Sequence, residues 1–325
     1  MKTLLPGAAL CGLALLLTTA TRAAQDKPAA PPTAASVYAS TVLVAPGEKP
    51  VLKPGTVYRF EFPELGPSLA AMATGQELPN LLLADLPADY RPDKKFPIFV
   101  YLDGGNGGIY LSTKRMREAV GPDDFIVVRM RTYKAVWDKK GPAGGLLIQQ
   151  SDFPVISRNY RAMLERLYEA VPNITPEGST LGGFSNGAHT TGILLAGEDE
   201  FILRHFSHFY MMEGGIGQFR GDVLKKPVLK DKHYLVLIGD RGRTEPFKGG
   251  MAAGIVEQAK AAGLDVTALA MRGYGHENPI PYFQIMPNWI RKRPIPEVPP
   301  KPADPAKPTE PAGAPTTPAA PAAPH

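Results

Sequence analysis

Apolar positions in the middle of the chain fall into short runs separated by segments of helical spacing or by turn residues. Residues 56–62 and 81–84 read as extended, in keeping with antiparallel strands at a sheet edge. The run 96–102 is almost wholly apolar and is stopped by Asp103-Gly104-Gly105-Asn106-Gly107-Gly108. A more polar, helix-like segment at 112–120 leads to a further run at 125–130. Tyr160, Met163, Leu164, Leu167 and Tyr168 recur at helical spacing within 159–171. A strand at 179–184 precedes a helix at 188–195, and three short apolar strands follow at 208–212, 233–238 and 266–271, with a helix at about 247–262 between the last two. This alternation predicts an α/β fold, a mostly parallel central sheet with helices on both faces, within one domain spanning 51–293.

The two ends read differently. Met1 and Lys2 precede an apolar run from Leu4 to Leu17, which exits through the small residues up to Ala24. That is the pattern of a secretory signal peptide over 1–23, cut near Ala20 or Ala23. The alternative is a membrane anchor, but the run is shorter than the roughly 20 apolar residues a spanning helix needs. Residues 24–50 are rich in Ala, Pro and Thr and read as a tether, and 294–325 as a disordered Pro/Ala-rich tail. The expected location is secreted or periplasmic, with no integral span after signal cleavage.

Composition sharpens the division. Of 35 prolines in 325 residues, six fall in 1–50 and twelve in the last 32, so the body has an ordinary share. The single cysteine, Cys11, lies in the apolar run, which excludes a disulfide framework and any cysteine-based metal site. A net charge of +5 is too mild to imply a nucleic-acid partner. The lysines at 225, 226, 230 and 232 form a basic patch that reads as solvated surface or as an attraction for acidic substrates. Gly214-Gly215-Ile216-Gly217 lacks the last glycine of a dinucleotide fingerprint, and no phosphate loop is present, so no cofactor is expected.

The informative segment is Gly183-Phe184-Ser185-Asn186-Gly187, lying between an apolar strand and an Ala/Thr/Leu helix. In that setting a serine is held on a tight turn at a helix N-terminus, where backbone N–H groups face developing negative charge. Ser185 is the expected nucleophile; the plainer reading is a helix-capping serine in a Gly-rich turn. With Asp89-Tyr90, the run from Pro97 to Gly108, and Gly273-Tyr274-Gly275-His276-Glu277, this segment resembles the α/β-hydrolase family, in particular secreted esterases of the esterase-D, feruloyl-esterase and polyhydroxybutyrate-depolymerase kind. The likeness covers about residues 78–291. It implies an α/β-hydrolase fold, with oxyanion N–H groups from Asn186 and from Gly104 or Gly105. Asp103 stands where many members have His.

His276 follows the serine in the order Ser…acid…His that this fold uses, and is the expected general base. For the acid, Glu245 in Glu245-Pro246-Phe247 and Asp240 rank nearly level, and Glu213, beyond the 208–212 strand, ranks below them. Each could instead be a loop ion pair with Arg241, Arg243 or Lys248. His205, His208 and His233 could be imagined as a metal site, but no carboxylate or cysteine spacing supports one, and no metal is expected. His189 reads as a packed helix residue.

The expectation is a secreted serine hydrolase that cleaves carboxylic esters through an acyl-enzyme, acting on a small ester or on esters of a polymer. The alternatives are a non-catalytic envelope binding protein, or a peptidase or acyltransferase of the same fold. The short segment between 212 and 233 leaves no room for an inserted lid. The loop 132–153, with Tyr133, Trp137 and Phe153, is expected to form a specificity wall. Oligomeric state is not legible.

Overall fold

A computed structural model describes residues 38–241 and 251–302. The strands are β1 (Val42–Val44), β2 (Val57–Glu61), β3 (Leu81–Asp85), β4 (Ile98–Leu102), β5 (Ile126–Met130), β6 (Thr180–Phe184), β7 (His208–Met212), β8 (His233–Gly239) and β9 (Asp265–Met271). They form one sheet in the order β1-β2-β3-β5-β4-β6-β7-β8-β9. β3 runs antiparallel to both β2 and β5, and all other neighbours are parallel. The described helices are α1 (Leu69–Thr74), α2 (Lys114–Val120), α3 (Phe153–Ala170), α4 (Asn186–Ala196), α5 (Glu200–His205), α6 (Met251–Ala261), α7 (Ile280–Gln284) and α8 (Met286–Ile290).

The largely apolar strands β3, β4, β5 and β7 are buried along their whole length, as a sheet covered on both faces requires. β4 divides its side chains by strand alternation. Ile98, Val100 and Leu102 enter a core with Tyr160 and Leu164 of α3, Ile193 and Leu194 of α4 and Ile255 of α6. Phe99 and Tyr101 enter a second core with Met116 of α2, Phe283 of α7 and Trp289 of α8. The expected helices on both faces are therefore present.

Three sequence expectations need correction. The body begins before residue 51: Val42 to Val44 pair with Tyr58 to Phe60, and Tyr38 is buried, its hydroxyl accepting a bond from the Leu111 N–H at 2.9 Å. It also extends past 293, because Ile295 and Val298 pack on the second core and the Lys301 N–H donates to the Arg272 carbonyl at 2.9 Å. The signal segment 1–23, the tether up to 37 and the tail from 303 lie outside the described residues. Third, the aromatics of the 132–153 loop do not all face a site. Tyr133 is fully buried edge-on against Tyr160, 6.1 Å between ring centres, and Phe153 fills the space where Gly197 has no side chain. The buried Lys134–Asp152 pair, at 3.0 Å, fastens this loop to the start of α3. Among the described residues no helix is long and apolar enough to cross a membrane.

The histidines at 205, 208 and 233 are not gathered around a common point. His205 Nδ1 is 2.8 Å from the Phe201 carbonyl within its own helix, and among the described residues no group of three or more ligating side chains could hold a metal. The lysine patch is largely engaged, Lys226 with Glu198 at 2.7 Å and Lys225 with Asp222 at 2.9 Å. His208 is buried beside the Trp289 and His233 rings, with Nδ1 2.8 Å from Ser207 Oγ. Burial, and then the positive charges of His233 and Lys292, push it from an ordinary 6.5 down to about 3. The unfolded chain thus binds a proton at this residue between those values and the folded chain does not, so stability falls as pH drops through that window. We expect the thermal midpoint of His208→Asn to fall less steeply than that of the wild type between pH 6.5 and 4.5. Parallel slopes would contradict the assignment.

Candidate active site

β6 delivers its chain to Ser185, which adopts φ 52° and ψ −113°, and α4 starts at the next residue. Such a backbone at a residue with a side chain costs roughly 1–3 kcal/mol and persists only where its surroundings enforce it. Here the Ser185 N–H donates to the Met212 carbonyl, and the Ser185 carbonyl accepts from the His189 N–H, both at 2.9 Å. The flanking glycines serve close approach: a Cβ on Gly187 would overlap the Leu102 carbonyl of β4, and one on Gly183 would lie 2.7 Å from the Gly187 carbonyl carbon. Ser185 sits at the helix-cap position but its side chain makes no cap hydrogen bond. Its Oγ instead lies 2.9 Å from His276 Nε2.

His276 Nδ1 is 3.3 Å from Glu213 Oε2. Glu213 is the first residue after β7, with φ 57° and a side chain only 7% exposed. Its other oxygen accepts the Gly239 N–H, and its own backbone N–H donates to the Leu237 carbonyl at 2.9 Å, so β8 holds both the backbone and the carboxylate of Glu213. A proton on Nδ1 facing the carboxylate leaves the Nε2 lone pair for the serine hydroxyl, the tautomer these partners assign. The imidazole is 59% exposed, so solvent reaches the ring while the carboxylate stays covered.

Of the two carboxylates ranked first from sequence, the structure places only Asp240. Asp240 Oδ1 accepts the Gly273 N–H at 2.7 Å, stapling the turn three residues before His276 rather than meeting the imidazole. Glu245 lies outside the described residues. The acid at His276 among the described residues is the candidate ranked lowest, Glu213, which no local motif announces.

Asn186 and the Gly104–Gly105 loop do meet at the serine. A Cβ on Gly104 would lie 3.0 Å from Ser185 Cβ, so the loop backbone packs directly on the nucleophile candidate. As the first residue of α4, Asn186 has a backbone N–H with no acceptor within the helix. Its side chain has a role that the sequence did not disclose. The buried amide donates to the carbonyls of Gly105 (2.6 Å) and Leu146 (2.7 Å) and accepts from the Ile148 N–H (3.2 Å). One side chain thereby joins the turn at Ser185, the glycine loop and the 132–153 loop.

A second network holds the other side. Asp103 pairs with the buried Arg129, whose guanidinium also donates to the Ser112 carbonyl at 2.7 Å and lies 4.7 Å from the centre of the Tyr101 ring. Burial, and then the charge of Asp103, push the Tyr101 hydroxyl up to about 12, so it is neutral and accepts from Asn278 Nδ2 at 2.7 Å. Asn278 is two residues beyond His276. His189, on the first turn of α4, packs against Gly214, and burial, with His276 nearby as the smaller cause, pushes it below the ordinary histidine range. Breaking a buried ion pair from one side typically costs 3–5 kcal/mol. Because Asp103 is a quarter exposed, we expect Arg129→Met to cost about 3 kcal/mol in chemical denaturation, with Asp103→Asn recovering part of it in the double variant. A loss below about 0.5 kcal/mol would show that the pair does not brace the loop.

No protein-family model matches the chain, and no curated protein sequence matches it. Among solved structures it is similar to a thermostable esterase at 18% identity and TM-score 0.46, over 73% of this chain and 62% of that one. It is similar to a Pyrococcus horikoshii acylaminoacyl peptidase at 14% and 0.44, over 74% and 40%, and to a Bacillus cereus carboxylesterase at 15% and 0.43, over 70% and 99%. The chain thus spans less than two thirds of the first two. By its own sheet order, by the strand–turn–helix at Ser185 and by the succession of Ser185, Glu213 and His276 along the chain, this protein has the α/β-hydrolase fold.

Proposed function

We propose that the protein is a serine hydrolase of carboxylic esters, working through Ser185, His276 and Glu213. The observation that supports this reading is the continuous run of contacts from Ser185 Oγ to His276 Nε2 at 2.9 Å and from His276 Nδ1 to Glu213 at 3.3 Å. Ser185 attacks the ester carbonyl as His276 takes its proton, and Glu213 holds the imidazolium that forms. The oxyanion accepts the Asn186 N–H and an N–H of Gly104 or Gly105; such donors are each typically worth about 10²–10³ in kcat. Collapse breaks the ester bond, and His276 returns the proton to the departing alcohol. Water then attacks the acyl-enzyme by the same relay, releasing the acid and restoring Ser185. No step calls for a cofactor.

The exposed imidazole favours esters that reach the site without a lid. Export of the enzyme, through the segment 1–23, is part of the proposal. The test is steady-state hydrolysis of short 4-nitrophenyl esters by the purified protein. We expect Ser185→Ala to abolish it and Glu213→Gln to lower kcat by at least about 10²-fold. Asp240→Asn, which alters a turn rather than the relay, should change kcat by less than about fivefold. Full activity in Ser185→Ala, or a greater loss for Asp240→Asn than for Glu213→Gln, would refute the assignment.

A further inference from the structure

A cleft of about 430 Å³ opens beside Ser185, on the side of the glycine loop. Gly104 and Phe184 form its inner wall, and both are neighbours of the serine: Gly104 packs on Ser185 Cβ, and the Phe184 ring centre lies 4.9 Å from that of His276. The rest of the lining is polar, with Asn106 from the loop, Asn278 from beyond His276, and two guanidinium groups, Arg129 and Arg115. An apolar acyl chain would strip these groups of water without returning a hydrogen bond.

The two arginines are not equivalent. Arg129 is buried and its charge is met by Asp103. Arg115, on α2, is exposed and has no carboxylate partner among the described residues. Its Nη2 donates to both the backbone carbonyl and the side-chain oxygen of Asn278, at 3.1 Å for the latter. Those bonds hold Nη2 at the cleft wall, and Nη1 and Nε make no hydrogen bond among the described residues. Asp103, the carboxylate in the lining, is neutralised by Arg129, so one positive charge is left uncompensated.

A guanidinium held at Nη2 keeps the N–H groups of Nη1 and Nε for an anion, and a carboxylate accepts from them in charge-assisted hydrogen bonds, roughly twice as strong as neutral ones. We propose that this cleft selects esters carrying a free carboxylate, with Arg115 as the group that binds it. The inference rests on the hydrolase reading above and adds the substrate class. The carboxylate can belong to the acyl part, as in a dicarboxylic half-ester, or to the alcohol part, as in an acylated hydroxy acid.

Two substrate pairs separate these sources: 4-nitrophenyl hemisuccinate against 4-nitrophenyl butyrate, and 4-acetoxybenzoate against its methyl ester. We expect kcat/KM for the charged member of one pair to exceed that of its neutral partner by at least about tenfold. The ratio should fall to within about twofold of unity in Arg115→Gln, and part of it should survive in Arg115→Lys. The ratio is the readout because Arg115 also touches the His276 loop, so both rates can fall together. In parallel, calorimetry on Ser185→Ala with succinate and with 4-hydroxybenzoate should show binding that weakens at least tenfold when Arg115→Gln is added. A wild-type ratio near unity in both pairs, or a preference that persists in Arg115→Gln, would overturn the inference while leaving the hydrolase reading intact. If none of the four esters is cleaved, the hydrolase reading fails and calorimetry decides: Arg115-dependent binding upholds a carboxylate site, and absence of binding overturns it.

Discussion

The approach of the first turn of α4 to the backbone of β4 is the constraint on which the site depends. Gly187 lies against the Leu102 carbonyl, and Gly183 against Gly187, where a methyl group would not fit. The chain can reverse from strand to helix in that space only through a strained residue, and Ser185 is that residue. The same turn carries the exit of β7 on its other flank. A Cβ on Gly214 would come within 2.8 Å of the Ser185 carbonyl, and one on Gly215 would collide with the Ala188 carbonyl. Glycines thus bring the carriers of Ser185 and Glu213 together, and packing of backbone on backbone fixes where the hydroxyl and the carboxylate can be.

Around that core the polar groups divide by burial. Glu213 is covered and anchored by β8, His276 is exposed, and Ser185 is half-buried. A buried carboxylate with two fixed partners has little freedom to reorient, so it can hold the imidazole in one tautomer while the open side of the ring stays available to a substrate. Asn186 and the Asp103–Arg129–Tyr101–Asn278 network serve the same end from opposite sides. Both tie loops, which would otherwise be the mobile parts of the fold, to strands that are not.

The sheet was legible because its strands are continuous apolar runs: the segments read at 208–212, 233–238 and 266–271 are β7, β8 and most of β9. β1 was missed because three residues in an Ala/Pro/Thr-rich stretch carry no periodicity, and pairing with β2 alone makes them a strand. The prolines of 294–302 give the segment the look of a free tail, yet its Ile295 and Val298 pack on the core. Ser185 and His276 are singled out in the sequence by a local motif and by chain order. Glu213 ranks last because its position is a matter of tertiary geometry: it lies 63 residues from His276 in sequence, and only the side-by-side order of β7, β8 and β9 brings the two near. Asp240 has the more familiar spacing, but its carboxylate is taken by the Gly273 turn. The aromatic residues of the 132–153 loop misled for a related reason, since side-chain size does not reveal whether a ring faces a cleft or, like Tyr133, the core.

The central claim is that Ser185 is activated by His276 and Glu213. It is tested most directly by reacting the folded protein with a fluorophosphonate and locating and timing the adduct by mass spectrometry. The account predicts a single adduct on the peptide containing Ser185, formed at least about 10²-fold more slowly in Glu213→Gln and at nearly the wild-type rate in Asp240→Asn. No adduct on Ser185, or a labelling rate indifferent to Glu213→Gln, would contradict it.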